Sequence, residues 1–496
     1  MTANELLVGI AIAVPMVGGA VAWPLKGRAS DLVALGAGVV GLVATAILAI
    51  LALTGAPVTG WFDLVRIDAL GGWTMLVVAA VGLVALAASP GYLDRTDSAG
   101  RLRVRDRGLY WALLLWFMAG LAGAPMTDNL GLMWVAIEMT TIVGALLIGF
   151  ARDKPAIEAA WKSLNLGSVG VGFALLGTLL AYASSVSVLG ETSDALAWSR
   201  LVSIAPQLDP GLVRLAFVFV LVGYGTKAGL APFHTWLPDA YSQAPGPVGA
   251  VLGGAKLAVA VYALARFDLV AAGALGPAFP STLLVVLGLL SLAVALPFVV
   301  AQGDVKRLLA YSSVEHVGIS VLALGFGGSI ALAGLALHLL AHGLVKSSLF
   351  VSVGRLTDAV GSRHVGRLRG SLQRVPGDGR SFVAGSVLLS GLPPSALFVS
   401  EVAIVVGGFA AGWGWAAGIA ALLLSLTVAG FLFHVVRLAT GSAGERRDRT
   451  PGPRRLLRAG LVLVLPLLIV GVLGLWTPPA VQDAIQGVVA VLGSPS

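Results

Sequence analysis

The stretch from Gly211 to Trp236 reads GLVRLAFVFVLVGYGTKAGLAPFHTW. After Arg214 it is apolar as far as Gly225, then sets Lys227 in the same run and breaks at Ala231-Pro232 ahead of His234. A helix needs about 20 apolar residues to cross a hydrocarbon core, so this run is long enough to span a membrane. Proline inside it removes a helix hydrogen bond and crowds the preceding turn. The pattern predicts a membrane helix that carries a charge and is interrupted at depth.

The rest of the chain repeats the theme. Hydrophobic residues make up 57% of the 496 positions and charged residues 11%, against roughly a quarter charged in soluble domains. One membrane domain over 1–496 follows, with no soluble domain of useful size left over. Hydropathy and breakers predict about 14 spans, near 4–24, 31–55, 68–90, 108–126, 129–150, 157–184, 211–236, 245–268, 280–301, 305–327, 329–354, 380–410, 413–438 and 456–476. The run Leu6 to Trp23 lacks a basic lead and a small-residue cleavage pattern, so it is expected to be a retained span.

The basic residues test this count, because Lys and Arg in short loops collect on the cytoplasmic side. With the N-terminus outside, 24 of the 32 Lys and Arg fall in inner loops, four (Arg66, Arg200, Arg214, Arg266) fall outside, and four lie within spans. A miscounted span would scramble that alternation. An even number of spans with both termini outside an inner membrane of prokaryotic type is the expected topology. The net charge of +8 is therefore distributed between spans and does not mark a nucleic-acid surface. There is no Cys, which excludes thiolate-held iron–sulfur clusters and thiolate zinc sites. No cofactor is expected, and electron transfer must reside in a partner chain.

The four in-span basic residues are Lys162, Lys227, Lys256 and Lys346, although 25 of the 32 basic residues are Arg. Arg stays protonated in a membrane, whereas a desolvated Lys can give up its proton. The choice favours groups that can be emptied and refilled. Glu138, Glu315 and Glu401 lie near span centres, and His234, His316, His338, His342 and His434 also fall within spans. Each charged group costs roughly 2.5–3.5 kcal/mol at the bilayer centre unless paired or hydrated. Lys162, a turn inside its span, could instead snorkel to the interface. His434 near a helix end complements the dipole, and His234 after Pro232 could bond freed carbonyls. His338, His342 and Lys346 recur every four residues on one helix, each step rising about 6 Å along one face. That spacing suits a water-bridged proton relay. Two His at i, i+4 can also ligate a metal, but that stripe has no carboxylate and bears an ammonium, so no metal is expected.

A second break, Gly391-Leu-Pro-Pro394, ends seven residues before Glu401. Discontinuous helices line ion sites because unwound backbone can bind ions or water. The breaks fall in the seventh and twelfth spans. An offset of five spans reverses orientation and predicts an inverted repeat, spans 4–8 (108–268) against 9–13 (280–438), with spans 1–3 in 1–107 and span 14 with a short tail in 456–496.

Three segments then resemble a known family. Gly225-Thr-Lys-Ala-Gly-Leu-Ala-Pro-Phe-His-Thr-Trp-Leu-Pro-Asp239, Asp304-Val-Lys-Arg-Leu-Leu-Ala-Tyr-Ser-Ser313 and His338-Leu-Leu-Ala-His-Gly-Leu-Val-Lys346 look like the hallmark segments of antiporter-like proton-pumping subunits. That family spans complex I, multi-subunit cation/proton antiporters and membrane-bound hydrogenases. Glu158-Ala-Ala-Trp-Lys162, Ser313-Val-Glu-His-Val-Gly318 and Gly391-Leu-Pro-Pro-Ser-Ala-Leu-Phe-Val-Ser-Glu401 most resemble its hydrogenase-4 and formate-hydrogenlyase branch. The resemblance implies that Glu138 pairs with Lys227, that Lys162 is accessory, that His338 and His342 form the central relay, that Lys346 connects onward and that Glu401 is the exit-side group. His234, Glu315 and His316 are possible accessory groups. The family's span-8 group lies four residues before a Tyr, here Ala258, whereas Lys256 lies six before Tyr262. The two positions differ by about 200° around the helix. About twenty residues follow the last span, so a long lateral helix is not expected.

The expected role is a proton-translocating subunit of a redox-driven complex, with other membrane subunits, a peripheral redox arm and the lipid bilayer as partners, no nucleic acid, and no redox chemistry in this chain. A Na⁺/H⁺ antiporter subunit and a membrane partner in inorganic-carbon uptake are the competing readings. A mere scaffold would have no reason to keep so many costly charges.

Overall fold

The protein is described here by a computed structural model, which covers residues 2–61, 63–103, 105–441 and 453–493, without side chains for 453–461. Arg446, Arg447 and Arg449 of the inner loops lie outside these residues. Six helices open the chain: α1 (Ala3–Ala22), α2 (Arg28–Thr54), α3 (Ala69–Ser98), α4 (Asp106–Gly123), α5 (Leu130–Ile148) and α6 (Lys154–Leu189). A small antiparallel hairpin, β1 (Val58–Gly60) with β2 (Val65–Ile67), joins α2 to α3. Next come α7 (Trp198–Ser203), α8 (Pro210–Ala228), α9 (Trp236–Gln243), α10 (Gly246–Leu275), α11 (Ala278–Val300), α12 (Val305–Phe326) and α13 (Gly328–Val360). The last six are α14 (Ser371–Arg374), α15 (Pro376–Leu389), α16 (Ala396–Ala410), α17 (Gly414–Ala439), α18 (Pro453–Leu475) and α19 (Pro479–Leu492).

The chain is a multi-pass membrane protein. Among the described residues 12 helices are long and apolar enough to cross a membrane alone. The other two expected spans are the pair α15 and α16, each too short by itself, and α18. The seventh span is likewise split into α8 and α9. Asp68, Asn129, Asp153, Asp209, Asp304 and Ser395 start their helices by accepting hydrogen bonds from first-turn amides, which satisfies donors left free at a helix N-terminus.

Both breaks are stitched by side chains. Leu230 returns its amide to the Gly225 carbonyl at 2.9 Å, and the Ala231 amide donates to Ser291 Oγ on α11 at 2.9 Å. Ser395 Oγ reaches back to the Leu388 carbonyl at 2.8 Å and caps α16. Freed backbone groups are therefore met inside the protein, which a lipid environment demands. The most apolar windows of α10 and α12 are wholly enclosed by other helices, so these two form the axis on which the rest pack. Small residues allow close approach elsewhere: a Cβ on Gly223 would sit 2.7 Å from the Gly170 carbonyl, and one on Gly177 2.7 Å from the Ala216 carbonyl, holding α6 against α8.

Two expectations need revision. The segment after span 14 is more than a short tail: α19 turns by 81° from α18 and packs Ala484, Ile485, Val488 and Val489 against α3 and α13. Arg266, counted among loop residues, is fully enclosed. Its Nη1 and Nη2 donate to Asp68 Oδ2 and Oδ1 at 2.9 and 2.5 Å, and its guanidinium lies 3.7 Å from the Trp198 ring centroid.

Removing one partner of a buried pair strands the other charge, at about 3–5 kcal/mol. Asp68→Asn is expected to destabilise the solubilised protein by about that amount, and the double change with Arg266→Met by less, in thermal unfolding followed by size-exclusion recovery. An Asp68→Asn protein as stable as the wild type would contradict this account.

Candidate functional site

The buried polar residues gather in two places. In the first, Lys227 ends α8 just before the break and points at α5. Its Nζ donates to the Ile137 carbonyl at 3.0 Å and to Thr141 Oγ1 at 2.5 Å. Glu138, between those two positions in sequence, accepts from Ser168 Oγ of α6 at 3.0 Å. Among the described residues no ion pair within 4 Å joins Glu138 to Lys227, whose Nζ is met by the carbonyl and the hydroxyl instead.

Lys256 lies on the enclosed helix α10, with its Nζ 3.9 Å from the Trp236 ring centroid. Trp236 Nε1 in turn donates to the Thr226 carbonyl at 2.9 Å, beside Lys227. The indole thus connects Lys256 to the Lys227 end of α8, a link that spacing against Tyr262 does not disclose. Ala258, the alternative position, is an apolar core residue.

The second group lies between α12, α13 and α16. Lys346 Nζ donates to the Leu309 carbonyl and to Ser312 Oγ, both at 2.5 Å. This repeats the Lys227 arrangement: one main-chain carbonyl and one hydroxyl on a neighbouring helix. The hydroxyls of Thr140 and of Ser312 and Ser313 also bond the same two carbonyls, Ile137 and Leu309 respectively. Glu315 is buried one turn further along α12.

Farther along, His316 Nδ1 meets His338 Nε2 at 3.2 Å, and His338 Nδ1 meets Ser400 Oγ at 3.0 Å. Ser400 Oγ already donates to the Leu397 carbonyl at 2.8 Å, so it accepts from His338 Nδ1–H. His338 Nε2 is then the acceptor and His316 Nδ1–H the donor. Glu401 Oε1 lies 3.9 Å from His316 Nδ1. The stripe His338, His342, Lys346 is fully buried, and no direct hydrogen bond joins its members among the described residues. His338 and His342 are stacked with centroids 6.1 Å apart, and the His316 ring lies 5.1 and 4.7 Å from them. His316, an accessory group on sequence grounds, is the ring nearest to both of the others. Glu401 follows the second break, and its carboxylate packs over Gly391 (φ +59°), where any Cβ would collide with it.

Other residues sit apart. Lys162 is half-exposed and bridges Glu158 at 2.6 Å and Asp239 at 3.0 Å. Asp239 also pairs with Arg307. Lys306, counted with the loops, is buried and donates to the Ala244 carbonyl at 3.0 Å. His434 Nε2 donates to the carbonyl of Val300, the last residue of α11, at 2.9 Å. His234 packs at the edge of Tyr311, with centroids 6.4 Å apart. Sequence reasoning passed over Trp236, Ser400 and the hydroxyl partners. The visible signal was the paired hydroxyls Thr140-Thr141 and Ser312-Ser313 beside Glu138 and Glu315 inside apolar runs.

Residues 127–427 match the family described as NADH:quinone oxidoreductase/Mrp antiporter, TM. The chain is 36% identical over 421 residues to the hydrogenase-4 component F homolog of Methylacidiphilum infernorum, covering 85% of this chain and 87% of that protein. It is also 36% identical over 448 residues to the NADH-quinone oxidoreductase subunit N of Desulforudis audaxviator, covering 86% of each. Its fold is similar to that of a chain in the membrane-bound sulfane sulfur reductase, an archaeal respiratory membrane complex, with a TM-score of 0.85 over 97% of both chains at 23% identity.

The hydrogen bonds fix the His338 tautomer with the proton on Nδ1. Nitrogen-15 NMR of histidine-labelled protein should show that form, and Ser400→Ala, which deletes the acceptor, should shift the ring toward the Nε2–H form. An unchanged His338 signal in the Ala variant would show that Ser400 does not set the tautomer.

Proposed function

Because the chain belongs to the NADH:quinone oxidoreductase/Mrp antiporter membrane family, we propose that it is the proton-translocating membrane subunit of a redox-driven respiratory complex of hydrogenase or complex I type. The observation that carries this reading is the set of titratable groups inside the bundle, all buried except the half-buried Glu138 and Glu401, and held largely by neutral partners. In order they are Glu138 with Lys227, then Lys256, then Lys346 with Glu315, then His342, His316 and His338, and last Glu401. Lys162, with Asp239, lies at the end of the bundle nearest the Arg-rich loops and serves as an accessory group. His234 is accessory at the first break.

A proton reaching His316 can pass along its Nδ1–H to His338, or turn to Glu401 across 3.9 Å. Lys227 is charged or neutral according to the state of Glu138. Its carbonyl and hydroxyl partners stabilise the ammonium without the fixed counter-charge that would hold it there. The energy arrives from outside, since the chain has no Cys to ligate a redox cluster. Neighbouring membrane subunits and a peripheral redox arm complete the assembly. The 108–268 and 280–438 halves each hold one half-channel. The distribution of Lys and Arg supports a prokaryotic cytoplasmic membrane with both termini outside.

Lys227→Ala in the assembled complex should abolish proton pumping in inverted vesicles while leaving assembly intact. Lys227→Arg should lower it at least about tenfold, because guanidinium does not unload. A fully active Arg variant would sink the switching role. If the isolated chain in liposomes exchanged Na⁺ for H⁺ at rates lost in Lys227→Ala, the antiporter reading would replace the redox one.

The lack of native Cys makes orientation directly measurable. With a membrane-impermeant thiol reagent on intact cells, Ser193→Cys should label and Ser98→Cys should not. The reverse pattern would invert the topology.

A further inference from the structure

The histidine cluster of the second group has a donor set that proton transfer alone does not require. His316, His338 and Glu401 come from three helices, α12, α13 and α16, and each offers a ligand atom within 4.8 Å of the other two. His316 Nδ1 and His338 Nε2 are 3.2 Å apart, and His316 Nδ1 is 3.9 Å from Glu401 Oε1. Around a tetrahedral zinc ion, with ligands at about 2.0–2.1 Å, neighbouring donor atoms stand about 3.3 Å apart. The geometry points to a binding site for one zinc-like divalent cation at His316, His338 and Glu401.

Three further observations carry it. His342 is fully buried, neither of its ring nitrogens has a partner among the described residues, and its ring lies 4.7 Å from that of His316, so a further imidazole stands beside the ion's position. A small cavity lined by Ser312, Glu315, His316, Ser390, Glu401 and Phe431 adjoins the same atoms, giving room for a ligand outside the triad. It also brings a second carboxylate: with Lys346 as the neutral amine, Glu315 and Glu401, both deprotonated as the ion enters and their protons released to water, together match the two positive charges, without which burying a divalent ion would be prohibitive. Two imidazoles and a carboxylate favour zinc, cobalt or nickel over magnesium or calcium, which take oxygen donors.

Binding is a ligand exchange. The hydrated ion gives up water, His316 moves its Nδ1 proton to Nε2 and stays neutral, and the His316–His338 hydrogen bond is replaced by two metal–nitrogen bonds. Resting on the proposed relay, the consequence is that the ion blocks proton transfer at His316.

The test is a titration of the assembled complex with Co²⁺, whose visible absorption is strong when four-coordinate and weak when hydrated, followed by displacement with Zn²⁺. The expected result is one such site per chain, unaffected by excess Mg²⁺. Binding should weaken at least about tenfold in both Glu401→Gln and His338→Gln and stay unchanged in His364→Ala, which alters an exposed His outside the bundle. Wild-type affinity no higher than that of His338→Gln, or a loss found only in His364→Ala, would overturn the site. Zn²⁺ inhibition of proton pumping is measured separately on the same vesicles. Binding without inhibition would leave the metal site standing and remove the relay from this position, whereas pumping without binding would do the reverse.

Discussion

An ammonium taken out of water must find acceptors, and what it finds decides whether it can ever leave the charged state. Lys227 and Lys346 both meet that demand with a main-chain carbonyl and a hydroxyl on a neighbouring helix. A carboxylate in hydrogen-bond contact would fix the charge, because breaking a buried ion pair strands its partner. A hydroxyl can donate as well as accept, so the same oxygen that receives from an ammonium can give to an amine. The broken helices and the enclosure of α10 and α12 keep these contacts away from lipid and bulk water. The buried pair Asp68–Arg266 shows the opposite choice: an Arg, a bidentate carboxylate and an aromatic ring make a charge that stays.

How much of this could be read from the sequence depends on the range of each interaction. Hydropathy is summed along about 20 residues, so the spans were legible, and so were breaks marked by Pro232 and Pro393-Pro394. The depth of Lys227, Lys346 and Glu401 came from their place within those runs. Interactions between helices did not. The His338, His342, Lys346 spacing is a property of one helix, whereas His316 comes from another, and no periodicity connects them. Register against Tyr262 sets Lys256 on a different face from Ala258, yet a Trp supplied by the short helix α9 reaches it. Lys306 was counted as a loop charge because it follows the capping Asp304 by two residues. The structure turns it inward onto the Ala244 carbonyl. The 81° turn into α19 was hidden because Thr477-Pro478-Pro479 reads as the end of a span, and proline can equally open the first turn of a new helix.

The end of the bundle near the Arg-rich loops is built on different principles. Glu158, Lys162, Asp239 and Arg307 form a chain of ion pairs across α6, α9 and α12, and Asp304, which accepts from the Arg307 amide, makes a separate pair with Arg363. Most of these side chains are partly exposed, and pairs of that kind contribute about 0–1 kcal/mol each. Their effect is positional. They fix the short helix α9, and with it Trp236, relative to the helix that bears Lys346's partners. A rim of ion pairs thus sits next to an interior whose ammonium groups meet neutral partners.

Gly391 supplies the remaining constraint. It lies in the second break at φ +59°, with the Glu401 carboxylate against the space a side chain would fill. An atom that is missing decides where a charge rests. Among substitutions scored for growth, this position should therefore behave like an active-site residue although it has no chemistry of its own.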